Sequence, residues 1–266
     1  MTTRDTPFAP GTPCWVDLLS SDVDASTAFY TGLFGWTAES SGEEFGNYVI
    51  YSLDGHTVAG QTPNQPEFGS PDVWSTYIAS ADCAATVAAA EAAGGSVLAP
   101  TMPVGDIGTM AMVSDPAGAV FGVWEAADGP NAHKGFGRYN EPGSVTWDEN
   151  QSKSFGASTK FYVDVFGWEV EPISDTDQFR YSMAKVDGET VAGLMDASSF
   201  LPDQVPSHWV VYFSVVSTDD AVVKAEGLGG TVVQAAEDTP YGRMAVIADP
   251  TGALFSLHQA PAESDS

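Results

Sequence analysis

The chain repeats itself at a spacing of 132 to 135 residues, and this repeat limits its possible folds more than any other feature. The segment Thr27–Trp36 returns as Thr159–Trp168 with six of ten positions identical. The longer segment Gly108–Ala126 returns as Gly242–Ala260 with nine of nineteen identical. Repetition at this spacing predicts two homologous domains rather than one large core.

Each copy divides again into two β-α-β-β-β units. In the first copy, an alternating strand at 14–19 precedes a helix that Asp22 or Asp24 opens, and the order restarts with a strand at 74–79. The predicted fold class is α+β, with four such units in two domains. We expect these domains at residues 8–128 and 143–261, with a linker rich in Gly, Pro and Asn at 129–142.

Phe-Tyr near the end of the first helix and Asp-Pro-x-Gly before the last strand resemble the vicinal oxygen chelate superfamily. This superfamily contains glyoxalases, bleomycin-resistance proteins and extradiol dioxygenases. Phe-Gly-Trp after the first helix and the tandem arrangement are similar to an actinobacterial glyoxalase-like subgroup, also labelled hydroxylases. The resemblance covers roughly residues 10–260. It implies two glyoxalase-like domains whose curved mixed sheets surround open clefts, with helices on the convex side and ligands on the concave side. It does not determine the chemistry.

Enzymes of this superfamily hold a divalent metal with His and Glu on the first and last strands of paired units. The resemblance assigns those positions to residues that offer neither imidazole nor carboxylate, while a further position lies within 56–61 in an unclear register. The sequence therefore predicts no metal centre of this type and no cofactor. The assigned positions are Trp15, Ser75, Gly122, Trp147, Val210 and Ser256.

A displaced metal cluster in the second domain is the alternative, because Glu149, His208 and His258 share the concave face. An offset of four residues between the two histidines corresponds to roughly 13 Å, which is too far for one ion. We therefore expect both histidines at the rim, in contact with water. His56 in a hairpin and His133 in the linker are also expected to be exposed.

The alternation of side chains predicts which residues line the two clefts. Each cleft combines tryptophan, tyrosine and an acid on neighbouring strands, which is a stacking surface beside a carboxylate. Such a surface suits a flat aromatic molecule that carries an amine. The alternative is that Trp15 and Trp147 fill clefts that bind nothing. The predicted ligand-binding residues are Trp15, Asp17, Tyr77, Trp124, Trp147, Glu149, His208, Tyr212 and His258.

The remaining tryptophans and the two cysteines are expected to be structural. Trp36 and Trp168 follow a helix in each copy, whereas Trp74 and Trp209 have the parity opposite to the cleft. The two cysteines, Cys14 and Cys83, do not form a disulfide framework, and we expect both to be buried thiols. These six residues therefore supply no predicted site.

The charge of the chain excludes some classes of partner. The formal net charge is −27, and Arg4 is the one basic side chain before Lys134. Such a chain repels nucleic acid and anionic membranes, and attracts small cations. Neither a leader segment nor an apolar run of about 18 residues is present in the sequence, so we expect a cytoplasmic protein.

Two functions from different classes remain. The first is a metal-free binding protein for a hydrophobic aromatic, anthracycline-like natural product, in resistance by sequestration or as an accessory to biosynthesis with a biosynthetic enzyme as partner. The alternative is an enzyme, such as a lyase, isomerase or hydroxylase-like protein, with Asp17 or Glu149 as general base. The binding function is favoured, because a lone carboxylate among aromatic residues lacks the partner acid or cofactor that catalysis needs.

Overall fold

The structure is a computed structural model that describes residues 3–65 and 69–261. The first copy contains β1 (Pro13–Ser20), α1 (Val23–Phe34), β2 (Thr37–Ser40), β3 (Val49–Leu53), β4 (His56–Pro63), β5 (Val73–Ala79), α2 (Cys83–Ala92), β6 (Ser96–Val104), β7 (Gly108–Ser114) and β8 (Val120–Ala126). The second copy contains β9 (Val145–Ser152), α3 (Phe155–Phe166), β10 (Glu169–Asp175), β11 (Arg180–Val186), β12 (Glu189–Asp196), β13 (His208–Ser214), α4 (Thr218–Gly227), β14 (Thr231–Thr239), β15 (Gly242–Ala248) and β16 (Leu254–Gln259).

Each copy folds into one eight-stranded mixed sheet. The strand order is β2-β3-β4-β1-β5-β8-β7-β6 in the first sheet and β10-β11-β12-β9-β13-β16-β15-β14 in the second. Consecutive units therefore pair within one sheet, which the sequence left open. The predicted architecture of four units in two glyoxalase-like domains is confirmed.

Local sequence signals explain how the elements begin and end. The side chain of Asp22, not Asp24, caps α1 by accepting the Ala25 N–H at 3.0 Å. Gly35 ends the same helix in the left-handed conformation, with φ of 75°. In both copies an Asp-Gly pair with two positive φ angles closes the hairpin before the fourth strand, which is the turn that this dipeptide favours.

The core faces of the two sheets face each other, with direct contact between β5 and β13 and with helices packed across the junction. α1 contacts α4 of the second copy, and α2 contacts α3. One buried cluster joins Phe29 to Phe255, with ring centroids 6.0 Å apart, and the other joins Phe121 to Phe161 at 6.1 Å. Each hydrophobic cluster is therefore made from both copies, and the concave faces point away from each other.

Polar contacts connect the copies at equivalent places. The carboxylate of Asp115 accepts the backbone N–H groups of Ala117 and Ala119, and its second oxygen accepts the hydroxyl of Ser158 on α3 at 2.7 Å. Asp249 holds its own turn in the same way and faces Ser26 on α1 at 3.4 Å. The Asp-Pro turns therefore orient the last strand and also anchor a helix of the other copy.

The four tryptophans expected in the core are buried there, as predicted. The Nε1 of Trp36 donates to the Gly143 carbonyl at 2.6 Å, and the Nε1 of Trp168 donates to the Gly11 carbonyl at 2.8 Å. Both bonds cross from one copy to the other. Trp74 and Trp209 are also buried.

The segment that joins the copies packs tightly against the first domain. The Phe136 N–H donates to the Cys14 carbonyl at 2.8 Å, and the Gly137 N–H donates to the Thr57 carbonyl at 2.8 Å. The chain before β1 lies against the same segment, since the Arg4 N–H donates to the Gly137 carbonyl at 3.0 Å. Among the described helices, none is both long enough and apolar enough to cross a membrane.

Candidate functional site

The first cleft brings together a tryptophan, two tyrosines and an acid. Trp15 and Asp17 lie on the face of β1 opposite the core residues, as the alternation predicts. The Trp15 Nε1 donates to the Tyr48 hydroxyl at 2.8 Å, and the Tyr77 hydroxyl donates to Asp17 at 3.0 Å. Trp15, Asp17 and Tyr77 are buried. The polar atoms of these cleft residues are therefore hydrogen-bonded to one another.

The second cleft repeats this arrangement. The Trp147 Nε1 donates to the Tyr181 hydroxyl at 3.1 Å, and the Tyr212 hydroxyl donates to Glu149 at 3.2 Å. The amide of Gln151 also donates to Glu149, at 2.9 Å. The sequence placed Trp147, Glu149 and Tyr212 together, and the structure does so too.

Tyr48 and Tyr181 belong to the two clefts, although sequence reasoning did not find them. Each occupies the space over a glycine of the fourth strand, because a Cβ on Gly60 would lie 1.7 Å from the Tyr48 hydroxyl and one on Gly193 would lie 2.1 Å from the Tyr181 hydroxyl. A signal was available. Both tyrosines stand six residues before the Asp of the Asp-Gly hairpin in their own copy.

Burial changes the protonation of both cleft acids. It raises the pKa of Asp17 to about 7, and the hydrogen bond from Tyr77 opposes this rise only in part. Burial also raises the pKa of Glu149, while hydrogen bonds from Gln151, Tyr181 and Tyr212 act in the opposite direction. Each carboxyl therefore holds its proton more tightly than an exposed acid does, unless a cation enters the cleft.

The joining segment closes the first cleft. The ring edge of His133 meets Trp15 with centroids 4.3 Å apart, and the Nε1 of Trp124 donates to the His133 carbonyl at 2.8 Å. The ring of Phe136 also lies against Trp15, at 5.7 Å. Trp124 is buried in the cleft where the sequence predicted it. Because His133 and Phe136 pack on Trp15, the protein itself covers this indole.

The expectation that His133 is exposed was wrong. Its Nε2 is enclosed and has no hydrogen-bond partner among the described residues, and burial lowers the pKa of the ring to about 4. The edge-to-face packing of the ring against Trp15 and Trp124 explains the difference. We expected exposure because His133 lies in a connecting segment, but this segment covers the first cleft. His56 is exposed, as expected.

The second cleft has no such cover within the described residues. Trp147 and Tyr212 are half-buried, whereas their counterparts in the first cleft are buried. The position of Trp124 is taken by His258, whose Nε2–H donates to the Tyr241 carbonyl at 2.8 Å. The indole of Trp147 is therefore accessible to a ligand.

The two rim histidines are farther apart than the sequence suggested. Tyr212, and not Val210, lies opposite Ser256, so that His258 pairs with Ser214. The offset to His208 is therefore six residues, or roughly 20 Å. The predicted register was wrong by two residues, because a slip of two keeps every side chain on its face and leaves the alternation unchanged. His208 is half-buried and donates through Nδ1 to the Pro206 carbonyl at 2.9 Å.

A further acid lies on the core side of the second sheet. Asp148 is buried where the first copy has Val16, and it accepts the Thr76 hydroxyl of the other domain at 2.6 Å. Burial raises the pKa of Asp148 to about 7. Asp148 and Trp147 both border a pocket of about 400 Å³ at the junction of the copies. Sequence reasoning missed Asp148, because the alternation of side chains on β9 predicts only its face and not a polar partner in the other domain.

These elements match one family model, described as the Glyoxalase/Bleomycin resistance protein/Dioxygenase superfamily, over residues 14–123 and 151–257. The chain belongs to this superfamily. Its sequence is 38% identical over 267 residues to the anthracycline biosynthesis protein DnrV of Streptomyces peucetius, covering 95% of this chain and 94% of that protein. It is 37% identical over 256 residues to CFP32 of Mycobacterium tuberculosis (strain CDC 1551 / Oshkosh), named provisionally as a glyoxylase, covering 94% and 95%.

Solved structures show the same fold at lower identity. The Mn(II)-bound glyoxalase from Novosphingobium aromaticivorans superposes with a TM-score of 0.64 at 17% identity, covering 94% of this chain and 82% of that one. The 2,3-dioxygenase LapB from Pseudomonas sp. KL28 gives 0.63 at 13%, covering 95% and 94%. At these identities the likeness concerns the fold alone.

The residues at the superfamily's metal positions do not fit a metal ion. The positions on the first and last strands carry no imidazole or carboxylate. On the fourth strand of each copy, the residues opposite the cleft acids are glycines, Gly60 opposite Asp17 and Gly193 opposite Glu149, so they add no ligand side chain. The Tyr77 ring fills the space over Gly122, where an added Cβ would lie 2.0 Å from it. Among the described residues, no three His, Cys, Asp or Glu side chains converge.

Proposed function

We propose that the second cleft binds a flat aromatic small molecule and that the first cleft is structural. A single observation carries this proposal: both clefts present a tryptophan, two tyrosines and an acid at equivalent places, yet Trp147, unlike Trp15, lacks a ring of the protein against it within the described chain. The aromatic rings that cover Trp15 support the proposal that the equivalent indole takes an aromatic group.

The chemistry of the second cleft suits a ring system that carries an amine. Stacking on Trp147 contributes about 0.5–1.5 kcal/mol beyond buried area, and a cation near the ring adds about 0.5–2 kcal/mol. A protonated amine beside Glu149 would also offset the burial that raises the pKa of this acid. Together with buried apolar area at about 25 cal/mol per Å², these contributions reach the roughly 8 kcal/mol of micromolar affinity.

The relatives support a role in natural-product metabolism. DnrV is named for anthracycline biosynthesis, and it matches this chain over nearly its full length. Anthracyclines combine fused planar rings with an amino sugar, which is the chemistry that Trp147 and Glu149 favour. We therefore propose a metal-free binding protein for such a molecule, acting in sequestration or as an accessory to biosynthesis.

Calorimetric titration with doxorubicin tests the proposal. We expect micromolar or tighter binding to the wild type and a loss of at least tenfold in Trp147→Ala, because the stacking surface is removed. Trp15→Phe is the matched control: it changes the covered cleft, and its affinity should equal that of the wild type. Unchanged affinity in Trp147→Ala would contradict binding at the second cleft.

Catalysis in the same cleft is the second candidate. A buried carboxyl with a raised pKa beside two tyrosine hydroxyls is suited to move a proton, so Glu149 would be the general base of a lyase, isomerase or hydroxylase-like step. Mass spectrometry of the bound ligand after incubation separates the two functions. An enzyme would convert the ligand and lose turnover, but retain binding, in Glu149→Gln. A binding protein would return the ligand unaltered.

A further inference from the structure

The first domain holds a peptide segment in a groove at the start of its first strand. Phe136 and Gly137 donate their backbone N–H groups to the carbonyls of Cys14 and Thr57, each at 2.8 Å. The Thr57 hydroxyl also accepts the Gly137 N–H, at 3.2 Å. The Phe136 ring lies against Trp15. An aromatic residue followed by glycine therefore fills this groove through backbone bonds and the contact of its ring with Trp15.

The second domain has the same groove without this occupant. The residues equivalent to Cys14 and Thr57 are Thr146 and Thr190. Within the described chain, no backbone N–H from outside the sheets is bonded to either carbonyl. By the repeat spacing, Arg4 in the chain before β1 is the equivalent of Phe136. Its backbone N–H does not reach the second domain, because it donates to the Gly137 carbonyl of the joining segment.

The open groove is the junction pocket of about 400 Å³. Its lining combines apolar and aromatic residues, such as Phe8 and Trp147, with charged ones, and the acids outnumber the single basic residue. The acids are Asp148, Asp187 and Glu189, of which the last two form an acidic rim, and the basic residue is Arg4. Volume and lining suit one large side chain together with a short stretch of backbone. The acidic rim and the net charge of −27 favour a segment with basic residues.

We propose that this pocket binds an extended, basic segment of a partner protein in which an aromatic residue precedes a glycine. The segment donates backbone N–H groups to the Thr146 and Thr190 carbonyls and places its ring against Trp147, as residues 136–137 do in the first domain. This is recognition by main-chain hydrogen bonds with one side-chain contact for specificity. A bound segment covers the second cleft, so the partner controls access to it.

The chain supplies its own probe for this site. A fluorescein-labelled peptide with the sequence of residues 131–138 is titrated into the whole protein and followed by fluorescence anisotropy. We expect one peptide per chain, and at least tenfold weaker binding when the phenylalanine of the peptide is replaced by alanine. Thr146→Trp fills the groove and should abolish binding, whereas Thr231→Trp, on an exposed position of β14, should not.

A milder variant keeps the test valid if Thr146→Trp unfolds. Thr190→Val retains the shape and removes the hydroxyl equivalent to the one that Gly137 uses, so several-fold weaker binding is expected. Absence of peptide binding overturns the proposal. Binding that is unaltered in both Thr146→Trp and Thr190→Val also overturns it, because the peptide has then displaced the joining segment in the first domain.

This inference does not depend on the proposed function. Doxorubicin binding is measured separately, so its failure leaves the peptide result standing. If doxorubicin binding is lost in Thr146→Trp while the peptide does not bind the wild type, the pocket belongs to the small molecule and the proposal of a partner segment is wrong.

Discussion

Trp15 and Trp147 occupy equivalent positions in the two copies, but their surroundings differ. Each donates its indole N–H to a tyrosine hydroxyl. Trp15 is also covered by His133 and Phe136, and only 4% of its surface is exposed. The two residues should therefore differ in what their removal does.

Alanine at each position should separate stability from binding. Trp15→Ala opens a cavity under the joining segment, and we expect a loss of about 3–5 kcal/mol in the free energy of unfolding. Trp147→Ala should lose less, because its ring is half-buried. Urea denaturation of both variants measures this difference. Equal losses would show that the second cleft is covered in solution.

Asp148 allows a test of pH dependence. Its pKa of about 7 lies above the ordinary value of 3.8, so between these pH values the folded state binds more protons than the unfolded state. This contribution stabilises the protein at low pH and is lost as the pH rises through 7. Asp17 and Glu149 shift in the same direction, and His133 opposes them.

Asp148→Asn isolates this contribution, because the amide oxygen still accepts the Thr76 hydroxyl and carries no charge. We expect stability close to that of the wild type at pH 4.5. At pH 8 the variant should be more stable, by up to about 4 kcal/mol. Urea denaturation at both values provides the measurement. A difference from the wild type that does not change with pH would contradict the assigned ionisation.

At the scale of elements, the Asp-Pro turns serve both copies at once. Asp115→Ala leaves two backbone N–H groups and the Ser158 hydroxyl without their acceptor. We expect a loss of about 2–4 kcal/mol in the free energy of unfolding. Asp128→Ala, an exposed acid beyond β8, should stay within about 0.5 kcal/mol of the wild type. A loss in Asp115→Ala no larger than this would refute the anchoring role.

The sequence predicted the elements well, since alternation, caps and Asp-Gly turns are local signals. It predicted the cleft faces of β1, β5 and β9 for the same reason. It missed Tyr48 and Tyr181, because the register of β4 and β12 against the first strand depends on parallel pairing that no turn sets. It misplaced His133, because nothing local shows that a connecting segment enters a cleft.

At the scale of the whole molecule, the two sheets have no separate cores. Both hydrophobic clusters combine residues of one copy with residues of the other. We therefore expect one cooperative transition in scanning calorimetry, with the calorimetric and van't Hoff enthalpies in agreement.

Cutting the chain tests the same feature. The fragments 1–132 and 133–266 should each be largely unfolded alone, because each exposes the helices and sheet back that the other covers. Circular dichroism of the fragments, alone and mixed, measures this. Two independent transitions in the whole protein, or native spectra for the single fragments, would show that each copy folds by itself.

The cover of the first cleft is covalently attached to the surface that it covers. β8 ends at Ala126 and β9 begins at Val145, so His133 and Phe136 cannot diffuse away from Trp15. A short tether gives a local concentration in the millimolar range. A free molecule must therefore compete with a tethered cover at millimolar local concentration before it can contact Trp15, even when its own contacts are better. We therefore expect the ligand proposed for the second cleft to leave the first cleft unoccupied, since the chain carries a tethered competitor for Trp15.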